Sequence, residues 1–148
     1  VLLSDWQDEE PIKEIITDCD LGHDYVPGEF YRRELPCLLK LLEQIEIELN
    51  TIVIDGYVYL GKDHKPGLGR YLFDALDKQI AVIGVAKTVF KGTPASTEIR
   101  RGTSQRPLYV TAAGMDETTA KHCIQAMHGA DRIPALLKRV DHLCRNAQ

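Results

Sequence analysis

The sequence predicts an α/β fold with helices packed on both faces of its sheet. Two apolar runs and their spacing predict it. Thr51-Ile52-Val53-Ile54 is uniformly apolar and stops at Asp55-Gly56, and Ile80 to Ala86 is a second such run ending at Lys87. Strands without polar alternation are buried on both faces, as in a covered sheet. From Glu34 onward strand-like and helix-like segments alternate, which is the pattern of helices layered over a sheet.

The elements follow in order. Ile12 to Thr17 is short and β-branched and reads as a strand, with Val1-Leu2-Leu3 its partner across the polar Asp5–Pro11 turn. A loop rich in Gly, Asp and Pro covers Asp18 to Gly28. Leu35, Leu38, Leu39, Leu42, Ile45 and Leu49 recur at three- and four-residue steps and predict a helix from about Glu34 to Leu49. After the Thr51–Ile54 strand, Tyr57 to Gly69 is a glycine- and lysine-rich loop, and a second helix is expected from Arg70 to about Asp77. Phe90 to Arg106, with its basic residues Arg100, Arg101 and Arg106, reads as an exposed loop or hairpin. Pro107 to Thr111 is the last strand. Asp116-Glu117 suit the first turn of a helix reaching about Met127, since carboxylates favour the positive end of the helix dipole. Pro134 suits the start of a final helix, where its missing N–H is least costly.

At 148 residues, 44% apolar and 27% charged, the chain has the size and composition of one globular domain. No apolar run approaches the roughly 18–20 residues that span a bilayer, so no membrane partner is expected and the expected location is cytoplasmic. Val1-Leu2-Leu3-Ser4 runs at once into acidic residues, unlike a signal peptide, and opens on Val as a chain missing its true start would. Cys19, Cys37, Cys123 and Cys144 have no CxxC or zinc-ligand spacing, and reduced thiols are the expectation. Residues 1–60 hold 4 basic and 14 acidic side chains, whereas residues 61–148 hold 14 and 8. That asymmetry suits an acidic site facing a basic binding surface, although unpatterned surface charge gives it as readily.

Asp55 is the sharpest candidate for chemistry. A carboxylate at the C-terminal end of a buried strand, followed by Gly, lies where open α/β sheets place their ligands, although turn aspartates also follow strands. Glu34, at the mouth of a helix, could bring a second carboxylate. Two carboxylates suit Mg²⁺, which takes oxygen ligands and keeps waters for substrate phosphates. Lys87 at a strand end could meet a phosphate or mark the exit to solvent. His64 is a loop histidine. Tyr25-Val26-Pro27-Gly28 joins an aromatic ring to a rigid turn, the make-up of a wedge that separates bases, or of a plain turn.

The order of these motifs is more informative than any one of them. Tyr25-Val26-Pro27-Gly28 precedes Arg33-Glu34, then Ile54-Asp55-Gly56 with His64 downstream, then Gly84-Val85-Ala86-Lys87 and Arg106-Pro107-Leu108-Tyr109-Val110. In this order the chain resembles the endonuclease V family, over nearly its whole length through Arg132-Ile133-Pro134. The resemblance implies a ribonuclease H-like mixed sheet with helices on both faces, forming one domain over residues 1–148. It also implies phosphodiester hydrolysis, dependent on Mg²⁺ (or Mn²⁺), one bond beyond deoxyinosine in DNA or inosine in RNA, with the flipped base held by main-chain groups.

Carried over by position, Glu34 and Asp55 are catalytic carboxylates, with Asp55 a direct metal ligand and Glu34 binding the metal or its water. Lys87 matches the lysine near the reacting phosphate. Tyr25, Val26 and Pro27 match the wedge. Gly28, Gly56 and Gly84 match positions of close backbone approach to the base, and His64 falls among the substrate-binding positions.

The chain departs from the family in three places. Nothing matches the opening strand and its catalytic Asp; Val1-Leu2-Leu3-Ser4 looks more like the second strand, with Asp5 a substitute only if Val1–Trp6 forms the first. The histidine expected near Gly114 is absent, and Asp116, close by in sequence, is the candidate to replace it as a ligand. The loop from Asp55 to Lys87 is about three residues longer than the resemblance implies. Three functional readings follow: an inosine-directed, Mg²⁺-dependent endonuclease; a relative that binds nucleic acid through Lys62, Lys65, Lys87 and Arg100-Arg101 without cleaving it; and an interaction module without a nucleic-acid role.

Overall fold

The two apolar runs lie side by side. In the computed structural model, which describes residues 1–19 and 31–146, β1 (Thr51–Asp55) pairs in parallel with β4 (Ala81–Ala86), placing Asp55 opposite Val85. β6 (Leu108–Ala113) runs antiparallel along the other side of β4, and β5 (Glu98–Ile99) pairs antiparallel with β6. The sheet is therefore mixed, in the order β1-β4-β6-β5. A small hairpin, β2 (Tyr59–Leu60) and β3 (Lys65–Pro66), stands apart from it within the expected loop.

Successive side chains of β4 point to opposite faces, and each face has its own core. On one, Ile54, Val82 and Ala113 pack with Leu35, Leu38, Leu39 and Leu42 of α1 (Tyr31–Leu42) and Leu72 and Phe73 of α2 (Leu68–Ala75). On the other, Ile83, Val85 and Val110 meet Ala120 and Ile124 of α3 (Glu117–Ala126) and Leu137 of α4 (Ala135–Asn146). Helices on both faces of a mixed sheet are the expected layering. Leu72, Ile83 and Ile124 are fully buried, each worth roughly 2 kcal/mol in apolar area removed from water.

α3 begins as expected, with the Asp116 carboxylate accepting the Thr119 N–H at 3.3 Å and satisfying an otherwise unpaired first-turn donor. α4 follows Pro134, whose carbonyl accepts the Lys138 N–H at 3.0 Å.

Several expectations need correction. The helix expected over Glu34–Leu49 ends at Leu42, after which the backbone tightens into turns, with Gln44 N–H donating to Leu41 O and Ile45 N–H to Leu42 O, both at 3.1 Å. Glu43, Glu46 and Glu48 would put negative charge at the negative end of a longer helix, and Ile45 and Ile47 lose rotamer freedom there. Apolar spacing alone extended the helix too far. Val1–Leu3 and Ile12–Thr17 form a single antiparallel bridge, Leu2 to Lys13, rather than a strand pair. Pro11 has no N–H to continue the ladder. The Asp8 carboxylate, accepting from Ser4 N and Oγ and from Asp5 N, winds the intervening segment into a tight turn.

Val1–Trp6 does not take the place of an opening strand: β1 pairs with β4 alone among the described residues. Phe90–Arg106 is also no plain exposed loop. It contains a 3-10 turn at Ala95–Thr97 and β5, and its Thr97 and Arg101 are buried. Finally, Cys19 and Cys37 form a disulfide across 18 residues, tying the chain ahead of α1 to the helix itself, against the expectation of reduced thiols throughout. Cys123 and Cys144 are free.

Candidate active site

Backbone crowding at the C-terminal ends of β1 and β4 shapes the site. β1 gives way at Gly56, which adopts φ +136°, a conformation that L side chains rarely take. Gly56 N–H donates to Val85 O at 3.0 Å, and Val58 N–H donates to the buried Thr111 Oγ1 at 2.8 Å. The chain therefore bends over β4 toward β6 directly after Asp55. It crosses at Gly84, where a Cβ would lie 2.6 Å from Gly56 O and 2.9 Å from Val58 N. At Gly56 a Cβ would meet nothing within 4 Å. The two glycines thus do different work: Gly84 lets the protein's own backbone cross, and Gly56 turns the chain beside open space.

This turn leaves the Asp55 side chain 63% exposed at the sheet's end, with its Oδ2 3.5 Å from Lys87 Nζ. Continuing the alternation of Ile83 and Val85, Lys87 lies on the face covered by α3 and α4 and bonds closely to Asp141 Oδ2 on α4. Burial pulls the Lys87 ammonium's pKa down, but the Asp141 hydrogen bond and the charges of Asp55 and Asp141 outweigh it, leaving the pKa above its ordinary value. Arg132 clamps the same strand ends. Its Nη2 donates to Lys87 O at 2.6 Å and Pro107 O at 2.8 Å, and its Nε donates to Arg106 O at 3.2 Å. Tyr57 fixes the following loop, donating from its hydroxyl to Thr88 O at 2.7 Å and accepting from Phe90 N–H at 3.1 Å. Burial pushes this phenol's pKa up.

The structure thus joins Asp55 and Lys87. Glu34 sits in the first turn of α1, half-buried, and no hydrogen bond or ion pair among the described residues links it to either. Tyr25, Val26, Pro27 and Gly28 lie outside the described residues. His64 is exposed in the turn between β2 and β3, at φ 53°, its ring 5.3 Å from that of Tyr59. Asp5 accepts from Gln7 N–H and Asp116 caps α3, so both proposed stand-ins for missing ligands are engaged locally. No group of three or more His, Cys, Asp or Glu poised for a metal ion occurs among the described residues.

The basic cluster also divides. Arg101 is 4% exposed and donates to the carbonyls of Met127, Gly129 and Asp131, closing the turn after α3. It is not available to a phosphate, unlike the exposed Lys62, Lys65, Arg100 and Arg106. Reading the sequence missed Asp141, Arg132 and Tyr57. The one available signal for Asp141 was its place one helical turn beyond Leu137 on the sheet-facing side of α4.

A mixed sheet covered by helices on both faces, with an exposed carboxylate at a parallel strand's end facing a lysine on its neighbour, defines a ribonuclease H-like α/β protein with an acidic site. The sequence profile of the family described as endonuclease V matches residues 1–141. The chain belongs to the endonuclease V family.

It is 29% identical over 144 residues to endonuclease V of Rhodospirillum centenum, covering 83% of this chain and 58% of that protein. To endonuclease V of Streptomyces coelicolor it is 29% identical over 149 residues, covering 86% and 62%. Its structure superimposes on the crystal structure of endonuclease V from Streptomyces avermitilis with a TM-score of 0.65 at 28% identity, covering 86% of this chain and 64% of that one. Human endonuclease V shares the fold, with a TM-score of 0.63 at 19% identity. The chain spans about three fifths of the length of these two bacterial relatives. No described helix is long and apolar enough to cross a membrane.

Proposed function

We propose that this chain carries the catalytic face of a divalent-cation-dependent endonuclease that hydrolyses a phosphodiester near deoxyinosine or inosine in nucleic acid. The observation that carries the reading is the Asp55–Lys87 pair: an exposed carboxylate and an ammonium 3.5 Å apart, at the ends of adjacent parallel strands. That is where open α/β sheets bind ligands.

A hard divalent cation fits this donor chemistry. Asp55 offers an exposed carboxylate oxygen, and Mg²⁺ and Mn²⁺ favour such ligands, with Mg²⁺ keeping several of its waters. Asp55 would hold the ion directly, with Glu34 the second carboxylate by family resemblance. A cation bound there supplies Lewis acidity toward the phosphodiester and its attacking water. The chain's own contribution is positional. Lys87 offers a point charge to the phosphate, Gly56 leaves open space beside its backbone, and Arg132 and Tyr57 hold the strand ends in place. By resemblance, Tyr25, Val26, Pro27 and Gly28 take the wedge and the approach to the base, with His64 among the substrate-binding positions, whereas the space beside Gly84 is taken by the protein's own backbone at Gly56 and Val58.

A second reading, binding of nucleic acid without cleavage, is favoured by one observation: three grouped metal ligands are missing among the described residues. Binding would then run through Lys62, Lys65, Lys87 and Arg100, and would weaken steeply with salt as counterions return to the phosphates. A labelled oligonucleotide with a single inosine, as DNA and as RNA, separates the two readings. Cleavage one bond beyond the inosine in Mg²⁺ or Mn²⁺, lost in Asp55→Asn, supports the endonuclease. Salt-sensitive binding by folded protein without any product supports the second reading.

A further inference from the structure

The loop between Asp55 and Lys87, longer than the family resemblance implies, packs its hairpin turn on the loop that follows Lys87. Gly61 bends there at φ +69°, and a Cβ on it would lie 3.3 Å from Lys91 O and 3.8 Å from the Phe90 ring. At Gly92 a Cβ would lie 3.6 Å from Lys62 N. Tyr57, two residues after Asp55, pins the same loop through Thr88 O and Phe90 N–H, and its ring meets that of Phe90 edge-on with centroids 6.3 Å apart. The two loops therefore form one ledge, continuous with the strand ends that carry Asp55 and Lys87.

The ledge displays groups that the fold leaves unused. Phe90 is 43% exposed and Val89 59%. Lys62, Lys65 and Lys91 are exposed, and none of their ammonium groups has a hydrogen bond or ion pair among the described residues. Lysines elsewhere are engaged: Lys40 with Asp18 O, Lys121 with Ser96 O, Lys138 with Asp131. An exposed ring beside unpaired ammonium groups suits a single nucleic-acid strand, whose bases stack on the ring while its phosphates meet the charges. A duplex keeps its bases paired and stacked on one another, and offers the ring no free face.

We propose that this ledge binds an unpaired nucleic-acid strand running past the Asp55–Lys87 site, with Phe90 stacked on a base and Lys62 and Lys91 on phosphates. The inference rests on the reading of that site as one for nucleic acid. It extends that reading with Phe90 and Lys91, which take no part in it, and with the form of the strand at this place.

Fluorescence anisotropy of the full chain in EDTA, with probes that lack inosine, tests the ledge apart from any cleavage. The probes are a labelled oligothymidylate and the same strand paired with its complement. Wild type should bind the single strand severalfold more tightly than the duplex. Lys62→Gln combined with Lys91→Gln should lower the slope of log affinity against log salt by about 0.7 for each lysine. Lys78→Gln, at an exposed and equally unpaired lysine ahead of the opposite end of β4, should leave that slope unchanged. Phe90→Ala should weaken single-strand binding on the order of tenfold with the slope kept. Phe90→Trp should hold wild-type affinity, which separates stacking from a loosened loop.

Equal affinity for strand and duplex overturns the inference, as does a Lys78→Gln effect as large as that of either ledge lysine. Wild-type binding that the Lys62, Lys91 and Phe90 variants leave unchanged overturns the ledge alone. No binding by folded wild type at low salt overturns the nucleic-acid reading together with it.

Discussion

Replacing Gly84 by alanine tests how the site is built. The added methyl would lie 2.6 Å from Gly56 O, 2.9 Å from Val58 N and 3.0 Å from Thr111 Oγ1. Two of these are backbone atoms, and the third is a buried hydroxyl already bonded to Val58 N–H at 2.8 Å. None is the free end of a flexible side chain. Gly56 O must therefore retreat from 2.6 Å to beyond 3.0 Å, and the turn after Asp55 must lift off β4. Overpacking of this kind costs about 2 kcal/mol. The lift also strains the Val58–Thr111 hydrogen bond, worth about 1 kcal/mol. Urea unfolding should show the stability loss, and hydrogen exchange should show the Val58 amide losing protection beyond the global change. If Gly84→Ala keeps wild-type stability to within about 0.5 kcal/mol and Val58 stays protected, the close crossing described here is wrong.

Other substitutions and conditions probe the supports around the site. Arg101→Met leaves the carbonyls of Met127, Gly129 and Asp131 without their shared donor and should cost about 3 kcal/mol in denaturant unfolding; a loss under 1 kcal/mol would contradict its assignment as a buried closure. Reduction by dithiothreitol, or Cys37→Ser, opens the 18-residue Cys19–Cys37 link and should cost up to about 3 kcal/mol, read as a lower Tm that the reductant no longer shifts in Cys37→Ser. The Lys87 ammonium is held above its ordinary value of 10.5, so the stability it contributes is complete below that pH and lost as pH rises through the elevated value. Wild type should accordingly approach Lys87→Met in stability only above pH 10.5, and a convergence at neutral pH would refute the pairing with Asp141.

How much of this was readable in the sequence depends on how local the determinant is. Asp55 stood out because one buried strand ends on it and a glycine follows, and Lys87 because it ends the next such run. Both signals lie within a few residues of the position they mark. Asp141 gave no such signal, because its partner is 54 residues away and only the packing of α4 brings them together. Arg101 misled for a related reason. In sequence it belongs to a basic cluster, and its burial depends on carbonyls 26 to 30 residues further on. The overlong first helix shows the limit of periodicity: the leucines kept their spacing, while acidic residues past Leu42 opposed the helix dipole.

The two functional readings turn on a second hard ligand more than on Lys87. An ion pair at 3.5 Å with one partner 63% exposed contributes at most about 1 kcal/mol. A doubly charged cation meeting the same carboxylate can displace it, so Lys87 does not close the site. One carboxylate alone, however, holds Mg²⁺ weakly unless substrate phosphates complete its oxygen shell. Glu34 is the residue that would alter this, and its position is set by α1. That helix is held by the stack of Tyr31 on Tyr71 at 3.7 Å, by leucines packed toward α2, and by the Cys19–Cys37 link one turn beyond Glu34. These supports are strong on the side facing α2, whereas no described contact draws Glu34 toward Asp55. With Glu34 as the proposed second ligand, cleavage requires α1 to present its carboxylate to the ion that Asp55 holds, and binding without cleavage is what remains where the two do not meet at one ion.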